Sequence, residues 1–529
     1  MRTRKSATRR AWVIGALLLT SLMFAGFALA NRHRASAAPS RGVARRDYLR
    51  QLAEDEPTAA NFKLLAQASA EMDDFPGANR AYAHAADLYR GKNMISEGYA
   101  ADRLAEHYEV EAVPFVQRPT DPGDVRQYDT RARLEPVYGC YTGAFIDHED
   151  SIHGTYRDEY GTWRRDASAF NHLTGIHHAI FFMYLGYGRT FPAKFVTHMN
   201  DNGAAAQIAW EPDSLDQVQD DDYLHEFARE AKASHTPIFL RFASEMNGDW
   251  VPYNGNPAAY IAKFRLVAKV MHAEAPNVAM VWCPFETPVR TIADYYPGPD
   301  AVDWVGINIY SVPFWDNDPR RTAEWRNPAD SLRFIYGKYA ARHPIMICEY
   351  GASHRSSLDG VERADFARDK LGELYAALPR VYPRVKAVCW LSMNAIRHAI
   401  PGRQKNDYSL LGNDWVRQRY KEVVDDPYFL GAVSRGAPAA ARKETAALRD
   451  GDTIHGKVPL SAWVKLYDDD PRVIWRVNGE ERYSSTTPGP YRWVLDTAKL
   501  PPGPATIELI VQDQEGREAA HETRTVQVQ

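Results

Sequence analysis

The sequence predicts an α/β protein: a (β/α)8 TIM barrel with an N-terminal α-helical hairpin region and a C-terminal antiparallel β-sandwich. Three observations predict it. Eight short apolar runs alternate with helical stretches over residues 136–430, the order that parallel strands joined by crossover helices require. Residues 448–529 switch to brief alternating strands set off by Asn-Gly, Pro-Gly and Glu-Gly turns. Residues 46–110 show small and large apolar residues at helical spacing and no strand pattern.

From the N-terminus, residues 1–38 read as an export leader. Ala11–Ala30 are twenty positions without charge behind Arg2, Arg4, Lys5, Arg9 and Arg10. Twenty apolar residues can cross a hydrocarbon core of about 30 Å, while Ala28-Leu29-Ala30 and Ala35-Ser36-Ala37 offer small-residue cleavage sites. Two readings follow, a cleaved signal peptide and a membrane anchor through residues 11–30. Both make the body exported, periplasmic or extracellular; the second tethers it to the inner membrane. In the helical region, Leu65, Ala66, Ala78, Tyr82 and Ala85 fall at the packing positions of one tetratricopeptide-like unit. A free-standing solenoid needs about three. The region is read either as a hairpin packed on its neighbour or as an arm for a protein partner. A polar connector with Pro119 and Pro122 then runs to Glu135.

The barrel runs are VYGCYTG (137–143), HHAIFFMYLG (177–186), AAAQIAWEP (204–212), TPIFLRFASEMN (236–247), VAMVWCPFE (278–286), VDWVGINIY (302–310), PIMICEYGA (344–352) and VKAVCWLS (385–392). An open doubly wound sheet is the alternative, but no Gly-rich phosphate loop follows the first run. A Pro/Ala/Arg-rich linker, 434–447, leads to the sandwich at 448–529, read as Ig-like.

Charge excludes one class of function. Residues 1–50 hold eleven Lys/Arg against one acidic residue, so the net −4 of the chain leaves −14 on the body. A body that acidic is a poor captor of nucleic-acid phosphates. Aromatics reach 12%, with 13 Trp and 29 Tyr, a composition suited to sugar faces. The four cysteines, Cys140, Cys283, Cys348 and Cys389, all fall inside barrel runs and read as buried small residues. Cys348 and Cys389 are expected to face the helices, out of phase with Glu349 and Trp390. His177-His178 and His148/His153 lack further metal ligands, so neither metal nor cofactor is implied.

In such a barrel, chemistry sits at the C-terminal strand ends. Glu245 ends the fourth run and Glu349 the seventh. By strand alternation Arg241, Ala243 and Glu245 share one face, and Ile345, Ile347 and Glu349 share another. Both glutamates then point into the barrel mouth, from strands nearly opposite one another. Two facing carboxyls are what glycoside hydrolysis needs, and in the retaining version they stand about 5–5.5 Å apart. Ionised Glu349 would hold Glu245 protonated by repulsion.

These segments resemble glycoside hydrolase family 26. Arg241…Glu245-Met246-Asn247-Gly248-Asp249-Trp250 is similar to that family's acid/base segment, and Glu349-Tyr350-Gly351 to its nucleophile strand. Val302–Tyr310 resembles its sixth strand, and Trp390 matches the aromatic that closes the eighth. The resemblance implies retaining hydrolysis of a β-linked polysaccharide, a β-mannan or related glycan, with Glu245 as acid/base and Glu349 as nucleophile. The chain departs from the pattern twice: Ser244 replaces a histidine, and Tyr253 replaces a second tryptophan.

Candidate sugar contacts are Trp210, Asn247, Trp250, Tyr253, Tyr310 and Trp390, with a packing role the alternative for Trp210. Tyr310 can also donate to Glu349, and Arg241 either tunes the carboxyl pair or forms a structural ion pair. Glu211 and Glu286 end the third and fifth runs, as substrate ligands or as helix caps. The alternative function is a non-catalytic glycan-binding or scaffold component of exopolysaccharide production, suggested by Ser244, the helical arm and the anchor.

Overall fold

The computed structural model describes residues 42–119, 130–433, 443–468 and 470–529. The leader 1–38 with its anchor segment 11–30, and residues 434–442 of the expected linker, lie outside the described residues. Among the described residues no helix is long and apolar enough to cross a membrane.

The chain divides into two compact units at Glu109/Val110. Among the described residues the first holds four helices, Gly42–Asp55, Ala59–Ala70, Phe75–Gly91 and Ile95–His107. Local signals start two of them: Thr58 accepts from the Asn61 amide and Asp74 from the Gly77 amide, each satisfying a first-turn N–H. Leu65, Ala66, Ala78, Tyr82 and Ala85 are all buried. Leu65, Ala66 and Tyr82 cluster with Leu49, Ala53 and Ala105, so consecutive helices pack through an alanine-rich seam.

The second unit contains the barrel. Its strands are Cys140–Phe145, Ile180–Gly186, Ala205–Glu211, Ile238–Phe242, Val278–Trp282, Trp304–Ser311, Ile345–Ala352 and Val385–Leu391. They pair in parallel in chain order, and the eighth closes on the first through Ala387↔Tyr141 to Leu391↔Phe145. Every predicted run supplied a strand, because a strand buried on both faces reads as a continuous apolar run. Side chains alternate between two layers. Phe182, Phe239, Val281, Trp304 and Met346 fill the interior. Leu240, Trp282, Ile345 and Ile347 pack outward with helix residues such as Phe227 and Phe264.

The cysteines correct one expectation. Cys283, Cys348 and Cys389 belong to the interior layer, not to the helix-facing one, which of the four holds Cys140. Gly306 makes room for them: an added Cβ there would lie 2.6 Å from Cys348 Sγ and 2.8 Å from Cys283 Cβ.

Residues 111–119, expected as connector, form a strand, and so do residues 443–447 at the end of the expected linker. The two pair with each other, and Glu111–Pro119 also pairs with Lys457–Lys465 in an antiparallel four-stranded sheet completed by Trp493–Asp496. A five-stranded sheet stacks on it, in the order Thr453–Ile454, Glu518–Val528, Gly503–Gln512, Arg472–Val477, Glu480–Ser485. Val116 shares a core with Leu460, Trp475, Leu509 and Val526, so the strand before the barrel completes the sandwich behind it. Buried contacts tie sandwich to barrel: Arg380 donates to Ser461 Oγ at 2.9 Å, and Lys465 Nζ stands 2.7 Å from Asp330 Oδ1.

Candidate active site

Strand four ends at Phe242, three residues before Glu245. Alternation therefore cannot aim Glu245; a turn does. Ala243 and Glu245 take left-handed backbone conformations, φ 45° and 59°, which cost a non-glycine residue about 1 kcal/mol or more. The turn is stitched to strand five: the Glu245 amide donates to Cys283 O at 2.8 Å. Asn247 clasps the Phe285 backbone, accepting from its N–H at 2.9 Å and donating to its carbonyl at 3.0 Å. Gly248 is needed next, since a Cβ there would fall 2.3 Å from the Trp250 ring. The indole lies over the glycine, and its Nε1–H donates to Glu245 Oε2 at 2.6 Å.

Glu349 arrives by a different irregularity. Ile345 and Ile347 face outward, so strict alternation would send Glu349 outward too. A bulge between Ile347 and Glu349 shifts the register on strand six and pairs Glu349 with Asn308. The extra residue re-aims the carboxyl into the mouth. The shared face expected for Ile345, Ile347 and Glu349 is thus corrected.

Both carboxyls open into one cleft of about 960 Å3 over the barrel. Their surroundings differ. Glu349, 4% exposed, accepts from the Tyr184 hydroxyl at 2.7 Å, from Arg241 Nη2 at 2.5 Å and from the Tyr310 hydroxyl. Arg241 is itself buried, with its guanidinium 5.6 Å from the Tyr184 ring centre. Burial opposes its charge, yet the adjacent Glu349 carboxylate holds its pKa well above the ordinary value. Burial and the Glu349 charge likewise push both tyrosine hydroxyls up, so they remain donors. Glu245 has two donors, Trp250 and Asn308 Nδ2 at 2.6 Å from Oε1. Burial and then the Glu349 charge raise its pKa, outweighing those hydrogen bonds and Arg241. Asn308 bridges the pair, since its Oδ1 accepts from Arg241 Nη1 at 3.3 Å.

The two departures from the family pattern meet at one carboxyl. Glu211 accepts from the Ser244 amide at 3.2 Å, from Ser244 Oγ and from the Tyr253 hydroxyl. Tyr253 also donates to Ser244 O, so a single phenolic proton faces two acceptors. Burial raises the pKa of Glu211.

Of the sequence candidates, Glu245, Glu349, Arg241, Trp250, Tyr253 and Tyr310 line the cleft. Three others do not. Trp210 is fully buried in the outer layer, stacked 4.1 Å from Phe227. Trp390 also faces outward, where its Nε1–H donates to Tyr408 O. Asn247 is spent on Phe285. Glu286 pairs with Arg326 away from the cleft. Of the histidines, His178 is buried against Asn171 and Tyr420, whereas His148 lines the cleft with its ring stacked on His398. Sequence reasoning missed Tyr184, Asn308, Phe285, Trp315 and Tyr408, all on the cleft wall. Two were within reach: Tyr184 shares a face with inward Phe182, and Asn308 is the polar break in the apolar VGINIY run.

No family model matches the chain. Among curated proteins it is 26% identical over 276 residues to Endoglucanase H of Acetivibrio thermocellus, covering 48% of this chain and 28% of that protein. It is 26% identical over 123 residues to Beta-1,3-xylanase TXYA of a Vibrio species, covering 22% of this chain and 26% of that one. The matched region thus spans 28% or less of these relatives' own length. Among solved structures, it is similar to an endo-beta-1,4-mannanase of Cellulomonas fimi at 18% identity and a TM-score of 0.42, covering 77% of this chain and 98% of that one. A GH26 beta-mannanase of Bacteroides ovatus matches at 15% identity and a TM-score of 0.39, covering 58% and 93%.

Proposed function

We propose that this protein is a retaining glycoside hydrolase acting on a β-linked polysaccharide, a β-mannan or related glycan. One observation carries the reading: two carboxyls open into a single cleft, one fixed by three donors including an arginine, the other with its pKa raised. Glu245 protonates the glycosidic oxygen as Glu349 attacks the anomeric carbon, giving a glycosyl-enzyme. Glu245, now ionised, takes a proton from water, which displaces Glu349 and releases the sugar. Tyr184, Tyr310 and Arg241 hold the Glu349 carboxylate oriented, while Trp250 and Tyr310 offer ring faces to pyranose rings. The similarity to proteins named endoglucanase and β-1,3-xylanase supports glycan hydrolysis as the class of reaction. The leader at 1–38 supports an exported location, where polysaccharide is met.

The test is a polysaccharide panel of mannans, mixed-linkage glucans, xylans and bacterial exopolysaccharides. Reducing ends should appear with wild type on at least one member. Glu245→Gln should cut that rate by about 10²–10⁴-fold without unfolding the protein. Undiminished cleavage by this variant would refute the assignment. Glycan binding with no cleavage of any member would favour the scaffold reading instead.

A further inference from the structure

The cleft has a second chemical feature, on the loop after barrel strand eight. Arg403, Lys405 and Asn406 of that loop line the cleft opposite the machinery of strand four. The carboxyls at the cleft floor have their own partners: Glu349 has Arg241, Glu245 has Asn308 and Trp250, and Glu211 has Ser244 and Tyr253. Asp316 pairs with Arg321. The Arg403 guanidinium and the Lys405 ammonium have no ion-pair or side-chain hydrogen-bond partner among the described residues.

A neutral glycan gains no charge pairing from cations in its groove. It is held by ring faces and by hydrogen bonds to its hydroxyls. Two free cations in a body that carries −14 overall are placed where a negative ligand passes, and low-dielectric walls focus their field. The guanidinium fork matches a carboxylate in two parallel hydrogen bonds. Asp213, on the loop after strand three, is the cleft carboxylate with no side-chain partner among the described residues, and it lies three strands round the barrel from these cations.

We propose that Arg403 and Lys405 form a subsite for a carboxylate-bearing sugar, so that the glycan taken by this cleft is a β-linked polymer containing uronate residues. This rests on the glycan reading of the cleft but not on cleavage. The test therefore uses binding, in full-length Glu349→Gln protein, of a β-1,4-linked oligoglucuronate and of the same oligomer after reduction of its carboxyls to neutral hydroxymethyl groups. Calorimetry at low ionic strength should give roughly tenfold tighter binding of the acidic oligomer, the sum of two exposed charge pairs. The preference should shrink as salt screens it. Arg403→Ala/Lys405→Ala should collapse the preference to within about twofold, whereas removing a cation outside the cleft, Arg229→Ala, should keep it. Equal binding of the two oligomers, binding of neither, or a preference that survives the double substitution would each overturn the proposal. Loss of cleavage across the polysaccharide panel, with the charge preference intact, would overturn the hydrolase reading alone.

Discussion

Two carboxyls of the cleft, Glu349 and Glu245, differ in depth and in support: Glu349 is buried and Glu245 half-buried. Glu349 is surrounded by an arginine and two tyrosine hydroxyls, each with its proton aimed at the carboxylate. Glu245 has two neutral donors, no hydrogen bond from an arginine among the described residues, and a negative neighbour. The difference teaches how one barrel mouth gives one carboxyl a cation and two hydroxyl donors and leaves the other with its pKa raised by burial and a negative neighbour. A cation inside the barrel, Arg241, is assigned to one side only, and its contact with Asn308 relays that bias to the other. The chain builds the two sides by different means. Glu349 reaches the mouth through a strand bulge, Glu245 through a left-handed turn after its strand has ended.

The largest effect that separates the two sides is in leaving-group dependence. On a glycoside whose leaving group needs no proton, such as a dinitrophenyl glycoside, Glu245→Gln should keep a rapid first step, since the missing acid is not required. Glu349→Gln should stay about 10⁴-fold or more below wild type on the same substrate, since no other group supplies the nucleophile. Burst kinetics read both. Equal losses in the two variants would mean that the division of roles is wrong.

Next in size is stability. Arg241→Met leaves the buried Glu349 charge without its cation and should cost about 3–5 kcal/mol in denaturant unfolding. Adding Glu349→Gln should restore most of that loss, whereas adding Glu245→Gln should restore little. Recovery by Glu245→Gln instead would place the charge coupling on the wrong carboxyl.

The barrel was legible because strands buried on both faces leave apolar runs of strand length, and eight of them alternated with helices. Glu245 and Glu349 were legible as strand-end acids. What the sequence concealed was direction. Bulges and left-handed residues carry no periodic signal, so the face assigned to Glu349 and the route of Glu245 were misread although both reach the cleft. The same one-residue ambiguity affects Trp390 and Trp210: each stands at a strand end but one step out of phase with the interior, and Trp210 takes the packing role that was its alternative. Neighbouring Leu391 faces the cleft, and Tyr408 reaches it from a later loop. The strand at Glu111–Pro119 was hidden because its partners lie more than three hundred residues later.

A smaller effect tests the Glu245 side alone. The Trp250 Nε1–H donates to Glu245 Oε2 and so favours the ionised form. Trp250→Phe removes the donor and keeps a ring. Glu245 should then hold its proton to higher pH, and the alkaline limb of the kcat/KM profile should move upward. Gly248→Ala should move it the same way, because the new Cβ would lie 2.3 Å from the indole and must displace it. A limb that stays in place or moves down in both variants would mean that the indole does not act on Glu245.

The smallest expected change to function is at Trp390, and it separates cleft from scaffold. The side chain is fully buried in the outer layer, edge-on to Tyr350 at 5.3 Å, and its N–H satisfies Tyr408 O. Trp390→Phe removes ring volume and leaves that carbonyl short of a donor. It should destabilise the fold by about 1–3 kcal/mol. Glycan affinity should stay within about twofold, the range expected of a residue that touches no ligand. Had Trp390 been a sugar platform, as its position at the end of strand eight suggested, the order would reverse, with affinity falling and stability spared. Measuring the thermal midpoint and the binding constant on one preparation therefore decides which layer of the barrel the side chain serves.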